Sequence, residues 1–266
     1  MRILLTNDDS IDSPGIILLA AALRRAGHRV FVVAPETNQS GVSNAIRFLN
    51  GPCKITQIGE DTWVCGGTPA DCVVIALKGG IPELCLTEMD ESRKRKQPPP
   101  IDLIISGINQ GANLGTDIIY SGTAAAARQG AFFQIPSLAL SLIHGDEWNW
   151  DMAVDFAVER LDEMVSYWKP DSFINVNMPN RREKPAALVH AFPSLRYYND
   201  SIEVYQAPNG GRYCFVKAWE ISAHLEQGSD CAVTAENNAS LSEIFIHPVL
   251  LESVKEGGGY NGRKSI

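Results

Sequence analysis

The stretch "ILLTNDDS", residues 3–10, runs from apolar and β-favouring residues directly into two adjacent acids, Asp8 and Asp9. An apolar run that ends at polar turn residues predicts a buried strand, here over residues 2–7. Two carboxylates a few ångströms apart at the end of such a strand repel each other, and one of them would tend to protonate. A positive charge next to this pair is therefore expected.

A helix and a second strand follow this first strand. In "SPGIILLAAALRRAGH", Ser13 is placed to cap a helix, Pro14 suits its first position and Gly27 suits its end. The apolar run "RVFVVAP" at 29–35 predicts another buried strand. Residues 1–35 thus form a β-α-β unit, which indicates a parallel sheet.

The alternation of strands and helices continues to about residue 180. Further strands are predicted at 45–49, 54–58, 62–66, 101–107, 135–142 and 171–179, and helices at 68–79, 123–133 and 149–168. Residues 81–100 are predicted to be a surface excursion. Residues 1–180 are predicted to form an α/β catalytic domain with a doubly wound (Rossmann-like), mostly parallel sheet. Residues 181–266 are predicted to be a β-rich, arm-like C-terminal extension that is not an independent domain.

Composition excludes several classes of function. The 266-residue chain has a formal net charge of −8, which argues against a nucleic acid polymer as partner, because such binding depends on Lys and Arg. No apolar run is long enough to span a bilayer, and the N-terminus does not resemble a signal peptide, so a cytoplasmic protein without a membrane partner is expected. The six cysteines contain no C-x-x-C spacing, which favours free thiols over a zinc site or disulfides.

Oxygen donors follow three of the predicted strands. The first strand ends in Asn7, Asp8 and Asp9, and the third buried strand, at 101–107, ends in Ser106 and Gly107, followed by Asn109. The loop after the second strand holds Asn38, Ser40 and Ser43. In doubly wound sheets, such strand ends meet at one edge. Two carboxylates, a hydroxyl and an amide oxygen suit Mg²⁺ or Mn²⁺. Each residue alone would more commonly cap a helix or stand in a turn, and the combination favours a cation site.

A second signal lies at the start of the helix predicted at 123–133. Ser121, Gly122 and Thr123 combine two hydroxyls with free backbone N–H groups at a helix N-terminus, an arrangement that can bind an anion such as phosphate. Simple N-capping by Ser or Thr is the alternative explanation.

Several blocks together resemble the SurE survival-protein family of metal-dependent 5′-nucleotidases. They are "ILLTNDDS…SPGI", "VVAPETNQSGVSNAI", "GTPADCV", "DLIISGINQGANLGTDIIYSGTAAAA" and "IPSLALSL", in order over roughly residues 1–180. The resemblance implies one divalent cation per subunit, held by Asp8, Asp9, Ser40 and Asn109. It also implies a phosphate pocket lined by Ser121 to Thr123. Family members exchange C-terminal arms, so a homodimer or homotetramer is expected.

One position departs from the family pattern. The family usually has glycine after the paired acids, where this chain has Ser10. If this position requires a positive φ, Ser10 is strained.

The reaction implied is hydrolysis of nucleoside 5′-monophosphates to nucleoside and phosphate by a metal-activated water. Asp8 would orient or deprotonate that water, Asp9 would be chiefly a ligand, and Asn109 would complete the catalytic group. Asn7 and Ser43 are expected to support substrate binding beside Ser121, Gly122 and Thr123. Activity as a 3′-nucleotidase or exopolyphosphatase is compatible with the same residues.

Two other classes use similar signals. A phosphoacceptor receiver domain needs an acceptor Asp at the end of the strand at 101–107, where Ser106 and Gly107 stand, and a Lys after 135–142, which is absent. A haloacid-dehalogenase-type phosphatase needs a D-x-D arrangement, whereas Asp8 and Asp9 are contiguous. A receiver-like or nucleotide-binding regulatory module without turnover remains the alternative hypothesis.

Overall fold

The computed structural model describes residues 1–86, 99–223 and 225–248, apart from the side chains of 218–221. The strands are β1 (Arg2–Thr6), β2 (Arg29–Pro35), β3 (Ile55–Gly59), β4 (Thr62–Cys65), β5 (Leu103–Gln110), β6 (Ser137–Leu142), β7 (Ser172–Met178), β8 (Leu188–His190), β9 (Arg196–Gln206), β10 (Arg212–Ala223) and β11 (Ala239–Phe245). The α-helices are α1 (Pro14–Arg25), α2 (Pro69–Ile75), α3 (Gly122–Phe132), α4 (Trp150–Glu159), α5 (Leu161–Ser166) and α6 (Asp230–Ala235).

Nine strands form one sheet in the order β3-β4-β2-β1-β5-β6-β7-β11-β8. The strands from β4 to β7 in this order run parallel to their neighbours, whereas β3 and β11 are antiparallel to β4 and β7. Apolar residues of α1, α4 and α5 cover one face of the sheet, and those of α2 and α3 cover the other. The predicted doubly wound, mostly parallel α/β fold is confirmed.

Helix α1 begins as predicted, but its N-terminus is held differently. Pro14 occupies the first turn, and the basic side chains of Arg24 and Arg25 lie in the last turn, where they complement the helix dipole. The Ser13 side chain does not cap the helix. It accepts a hydrogen bond of 2.7 Å from the Asn7 amide instead, which ties the helix start to the end of β1.

Two predicted elements differ in the structure. Residues 45–49 form no strand, because almost every side chain there is exposed and there is no apolar face to bury. The end of this stretch belongs to a single 3₁₀ turn, Phe48–Asn50. The helix predicted at 149–168 is two helices separated at Arg160, which has non-helical φ and ψ of −102° and 9°. Phe156 and Leu161 on either side of the break still face one core, so the hydrophobic period cannot reveal it.

The helix predicted at 68–79 is shorter than expected. It starts at a capping box in which the Thr68 hydroxyl accepts from the Asp71 N–H and the Asp71 carboxylate accepts from the Thr68 N–H. The α-helix ends at Ile75 and the chain continues as a wider turn over Ala76–Gly80, in which helical geometry is lost at Lys78 and at Gly79, whose φ is +116°.

Residues after 180 contribute to two sheets. Strands β8 and β11 belong to the nine-stranded sheet, and β9 and β10 form a separate antiparallel hairpin. Its function as an oligomerisation arm stays a prediction. Residues 87–98 of the predicted excursion lie outside the described residues.

Two expectations from composition can be compared with the described residues. All six cysteines are free thiols. Within the described ranges, no helix combines the length and the apolar character needed to cross a bilayer.

The turn after β1 has Ser10 at a φ of +96°, the conformation that its place in the family pattern suggested. The Asn7 amide donates to the Ser10 carbonyl at 2.7 Å, and the Ile11 N–H donates to the Pro35 carbonyl at 3.0 Å. These bonds hold the turn in place, and the steric strain of a side chain at positive φ falls on Ser10.

We expect Ser10→Gly to raise stability by ~1 kcal/mol, because relief of left-handed strain exceeds the added entropy of the unfolded chain. Urea unfolding measures this change. Asp12→Gly is the matched control, since Asp12 is exposed in the same loop and is not among the positive-φ residues. The control should lower stability slightly, and equal effects of both substitutions would contradict strain at Ser10.

Candidate active site

Asp8 lies where the end of β1 meets the N-terminus of α3. Its side chain is 4% exposed, and its Oδ1 accepts a hydrogen bond of 2.5 Å from the Thr123 hydroxyl. A Cβ added to Gly122 would stand 2.9 Å from the Asp8 Cβ, so only glycine allows the helix start to approach this closely. The helix thus holds the carboxylate in one orientation.

The two neighbouring carboxylates are electrostatically unfavourable by themselves. The pKa of Asp8 is raised to about 6, chiefly because the carboxyl group is buried; the hydrogen bond from the Thr123 hydroxyl lowers it and the nearby charge of Asp9 raises it. Burial also raises the pKa of Asp9, whose Oδ2 accepts from the Gln110 N–H at 2.8 Å. A bound cation would reverse this balance, because it favours both ionised forms.

Asn109 reaches the site through an irregularity in β5. The strand pairs with β6 at Ser106 and again at Asn109, with one extra residue in β5 between these pairs. Gly107 makes the bulge possible, since it has a φ of +133° and a Cβ there would lie 2.3 Å from the Leu140 carbonyl oxygen. The Asn109 amide nitrogen donates to the Gly111 carbonyl at 2.9 Å, which leaves its amide oxygen without a protein partner among the described residues.

Ser40 belongs to the loop that follows β2. The loop is held beside the acids because the Gln39 N–H donates to the Asp8 carbonyl at 2.7 Å. The Asn38 side chain accepts from the Ser40 N–H at 2.8 Å. The Ser40 hydroxyl is exposed and makes no hydrogen bond to the described residues, so it can bind a ligand.

A pocket of about 550 Å³ brings four of the predicted residues together, namely Asp8, Ser40, Asn109 and Ser121. The other lining residues are Gly41, Gln110, Gly111, Ala112, Asn113, Asp117, Tyr120, Tyr198, Asp200 and Val216. Asp9 is not a lining residue, although it is bonded to Gln110, which lines the pocket.

The other predicted binding residues have bonds that limit their roles. The Ser43 hydroxyl donates to the Ile119 carbonyl at 2.6 Å, and the Thr123 hydroxyl is committed to Asp8. Asn7 is fully buried and holds the turn after β1. Ser121 accepts from the Ala124 N–H at 3.0 Å, which confirms that it caps α3 and leaves its hydroxyl proton free. The N–H groups of Gly122 and Thr123 remain available to an anion.

Of the ten lining residues that were not predicted from the sequence, four have acidic or aromatic side chains: Asp117, Tyr120, Tyr198 and Asp200. Tyr120 directly precedes Ser121, so its position could have been inferred from the helix start. Tyr198 and Asp200 belong to β9, and no local pattern indicates that this hairpin returns to the edge of the main sheet.

A buried carboxylate anchors the loop between Asn109 and Ser121 from the C-terminal side. Asp230 is fully buried and accepts from the N–H groups of Gly115 and Ser194 at 2.7 and 2.9 Å. Asp230 also starts α6, more than 100 residues further along the chain. The position of the loop therefore depends on residues far outside the predicted motifs.

The donor set fits a hard divalent cation. It combines the carboxylates of Asp8 and Asp9 with the unpartnered amide oxygen of Asn109 and the free hydroxyl of Ser40. Within the described part of the chain, no group of three or more His, Cys, Asp or Glu side chains could hold a metal ion. Any centre here would thus rely on two acids completed by neutral oxygens, which suits Mg²⁺ or Mn²⁺ better than zinc.

Known proteins match this chain over most of its length. The family model described as "Survival protein SurE" matches residues 3–198. A protein named 5′-nucleotidase SurE from Chloroflexus aggregans is 36% identical over 252 residues, which are 92% of each chain. One of the same name from Xanthomonas axonopodis pv. citri is 42% identical over 183 residues, 68% of this chain and 64% of that protein. The crystal structure of SurE protein from Aquifex aeolicus superposes with a TM-score of 0.78 at 32% identity, covering 96% of this chain and 97% of that one.

We expect metal-free Asp8→Asn protein to be more stable than the metal-free wild type above pH 6. The fold raises the pKa of Asp8 from 3.8 to about 6, so the wild type loses stability as pH rises between these values. The difference in the free energy of unfolding between the two proteins should grow over this pH interval, reach at most about 3 kcal/mol and stay constant at higher pH. Urea unfolding with EDTA from pH 4 to 8 measures it, with exposed Asp12→Asn as control. A stability difference between the two proteins that does not change with pH would contradict the raised pKa of Asp8.

Proposed function

This chain belongs to the SurE family, and on that premise we propose that it is a 5′-nucleotidase that hydrolyses nucleoside 5′-monophosphates to nucleoside and phosphate. One observation supports this proposal above the others: oxygen donors from two strand ends and a loop converge on one pocket, beside the N-terminus of α3. Such a pocket combines a place for a cation with a place for a phosphoryl group.

The residues proposed to hold one divalent cation, Mg²⁺ or Mn²⁺, are Asp8, Asp9, Ser40 and Asn109. When bound, the cation supplies positive charge at the phosphoryl oxygens and lowers the pKa of a water. The same charge makes the neighbouring carboxylates of Asp8 and Asp9 favourable. The bulge in β5 and the tethered Ser40 loop place the neutral ligands before substrate arrives, which reduces the reorganisation needed on binding.

The phosphoryl group is held at the start of α3. The backbone N–H groups of Gly122 and Thr123 and the Ser121 hydroxyl donate to its oxygens, and the helix dipole adds to the attraction. The Thr123 hydroxyl acts indirectly, because it fixes Asp8. Asn7 and Ser43 act in the same indirect way through the turn after β1 and the carbonyl of Ile119.

Asp8 is the residue best suited to orient and deprotonate the attacking water. Its Oδ1 is occupied by Thr123, which leaves Oδ2 for a second partner. No described lining residue of the pocket is a cysteine or a histidine, so a Cys–His or Ser–His nucleophile is not available there. We therefore favour direct attack of water on phosphorus, with the nucleoside as the leaving group.

The hairpin of β9 and β10 is proposed to join copies of this chain into a homodimer or homotetramer. It exposes large apolar side chains that no described element covers, including Ile202, Tyr205 and Phe215. Light scattering should then report a multiple of 29.0 kDa, and Phe215→Asp should shift it toward the single chain. A monomeric wild type would contradict this assembly.

We expect EDTA to abolish phosphate release from adenosine 5′-monophosphate and Mn²⁺ or Mg²⁺ to restore it.

Asp9→Asn should lower kcat/KM by more than about 100-fold and raise the Mn²⁺ concentration needed for half activity, because a charged ligand is lost. Asp12→Asn removes an exposed acid three residues away and should stay within about twofold of the wild type. Full activity of Asp9→Asn, or of the EDTA-treated enzyme, would contradict the metal assignment. Nucleotide binding without any phosphate release would support the regulatory alternative.

A further inference from the structure

The pocket is larger than a phosphoryl group requires. Asp8, Asn109 and Ser121 line the part proposed to act on phosphate, and the lining continues onto the hairpin with Tyr198 and Val216. A volume of about 550 Å³ lies within the usual range for whole small-molecule ligands. The remaining space must therefore accommodate the part of the substrate attached to phosphate.

Two aromatic rings stand next to the proposed phosphate position. Tyr120 directly precedes Ser121 in the chain and is 55% exposed. Its ring meets that of Tyr198 edge-on, with centroids 6.0 Å apart and an interplanar angle of 86°. An edge-on contact leaves ring surface uncovered, and an uncovered aromatic face at a ligand pocket is suited to stack a flat ring.

The second ring is fixed in place by the turn that precedes Tyr120. The Tyr198 hydroxyl donates to Asp117, and the same carboxylate pairs with Arg196. The Thr116 hydroxyl donates to the Arg196 carbonyl at 3.2 Å and accepts from the Arg196 N–H at 3.0 Å. These bonds order the ring before a ligand arrives, so little entropy is lost when one binds.

The charge of the lining disfavours a second anionic group on the ligand. No Lys, Arg or His is present among the described lining residues, so recognition beyond the cation cannot depend on a positive side chain. Asp117 is already paired with Arg196. Asp200 is exposed and makes no side-chain bond to the described residues, so it can accept from a hydroxyl or amino group of the ligand.

We propose that Tyr120 and Tyr198 form the nucleoside subsite of this enzyme. The base stacks on the face of one ring and contacts the other, which stands at 86° to it, edge to face. Asp200 accepts a hydrogen bond from a donor of the ribose or the base. This assignment rests on the proposed function, since it places the leaving group of that reaction. It makes Tyr120 and the start of the hairpin the parts of the chain that distinguish nucleotides from other phosphate esters.

The test compares a substrate with a ring and one without. Tyr120→Leu and Tyr198→Leu should each lower kcat/KM for adenosine 5′-monophosphate about tenfold, mainly through a higher KM, because base stacking is lost. For glycerol 2-phosphate, which has no ring, kcat/KM should change by less than about twofold. Tyr198→Phe keeps the ring and removes only the tether to Asp117, so it should lie between the wild type and Tyr198→Leu.

Tyr167→Leu is the matched control. Tyr167 is an exposed tyrosine that contacts His190 outside the hairpin and does not line the pocket, so its loss should leave both substrates unaffected. Equilibrium dialysis of adenosine measures the subsite without turnover, and its affinity should fall about tenfold in both pocket variants but not in the control. Equal losses for both substrates, or unchanged adenosine affinity in the pocket variants, would overturn the subsite. A wild type that binds adenosine through these tyrosines but hydrolyses no phosphate ester would refute the proposed function and leave the subsite standing.

Discussion

The burial of the Asp8 carboxylate beside a second acid, Asp9, is the constraint on which the architecture around the pocket depends. Asp8 is almost fully buried beside Asp9, and burial alone makes its ionised form unfavourable. The fold holds this pair in place with bonds to other elements: Thr123 from α3, the Gln39 N–H bonded to the Asp8 carbonyl, and Gln110 at the end of β5. A fold that keeps such an unfavourable pair ordered is prepared for a positive partner.

The loop between β5 and α3 is ordered mainly by bonds to residues far away in the chain. Asp230 holds Gly115 from the C-terminal side, and Ser43 holds Ile119 from the loop after β2. Within the loop, Thr116 and Asp117 are bonded to the start of β9. The loop contains little regular secondary structure, so these contacts supply the order that a helix or strand would otherwise give.

The sequence predicted the parallel core well, because buried strands and capped helices leave local signals, as at Pro14 and in the Thr68–Asp71 capping box. The sequence also predicted that Asp8, Ser40, Asn109 and Ser121 lie close together, because parallel strand ends meet at one edge of the sheet, and these four residues line one pocket. It missed the break at Arg160, which leaves the hydrophobic period intact. It did not indicate that Tyr198 lines the pocket, because the packing of a hairpin against a distant part of the chain leaves no periodic pattern in the sequence. The roles of Thr123 and Ser43 also depended on hydrogen-bond partners that only the folded chain reveals.

Among the strands that the structure describes, the β9–β10 hairpin pairs with none of the main sheet, yet Tyr198 and Val216 border the same cavity as Asp8. If the proposed site and subsite are correct, bond cleavage and the choice of what is cleaved depend largely on separate stretches of polypeptide, with Tyr120 as the residue where they meet. Under this division, an exposed two-stranded ribbon can accumulate replacements, lengthen or shorten while the sheet edge stays intact. Relatives with the same chemistry could in this way diverge toward different leaving groups, and a designer could exchange the ribbon alone to obtain a new selectivity.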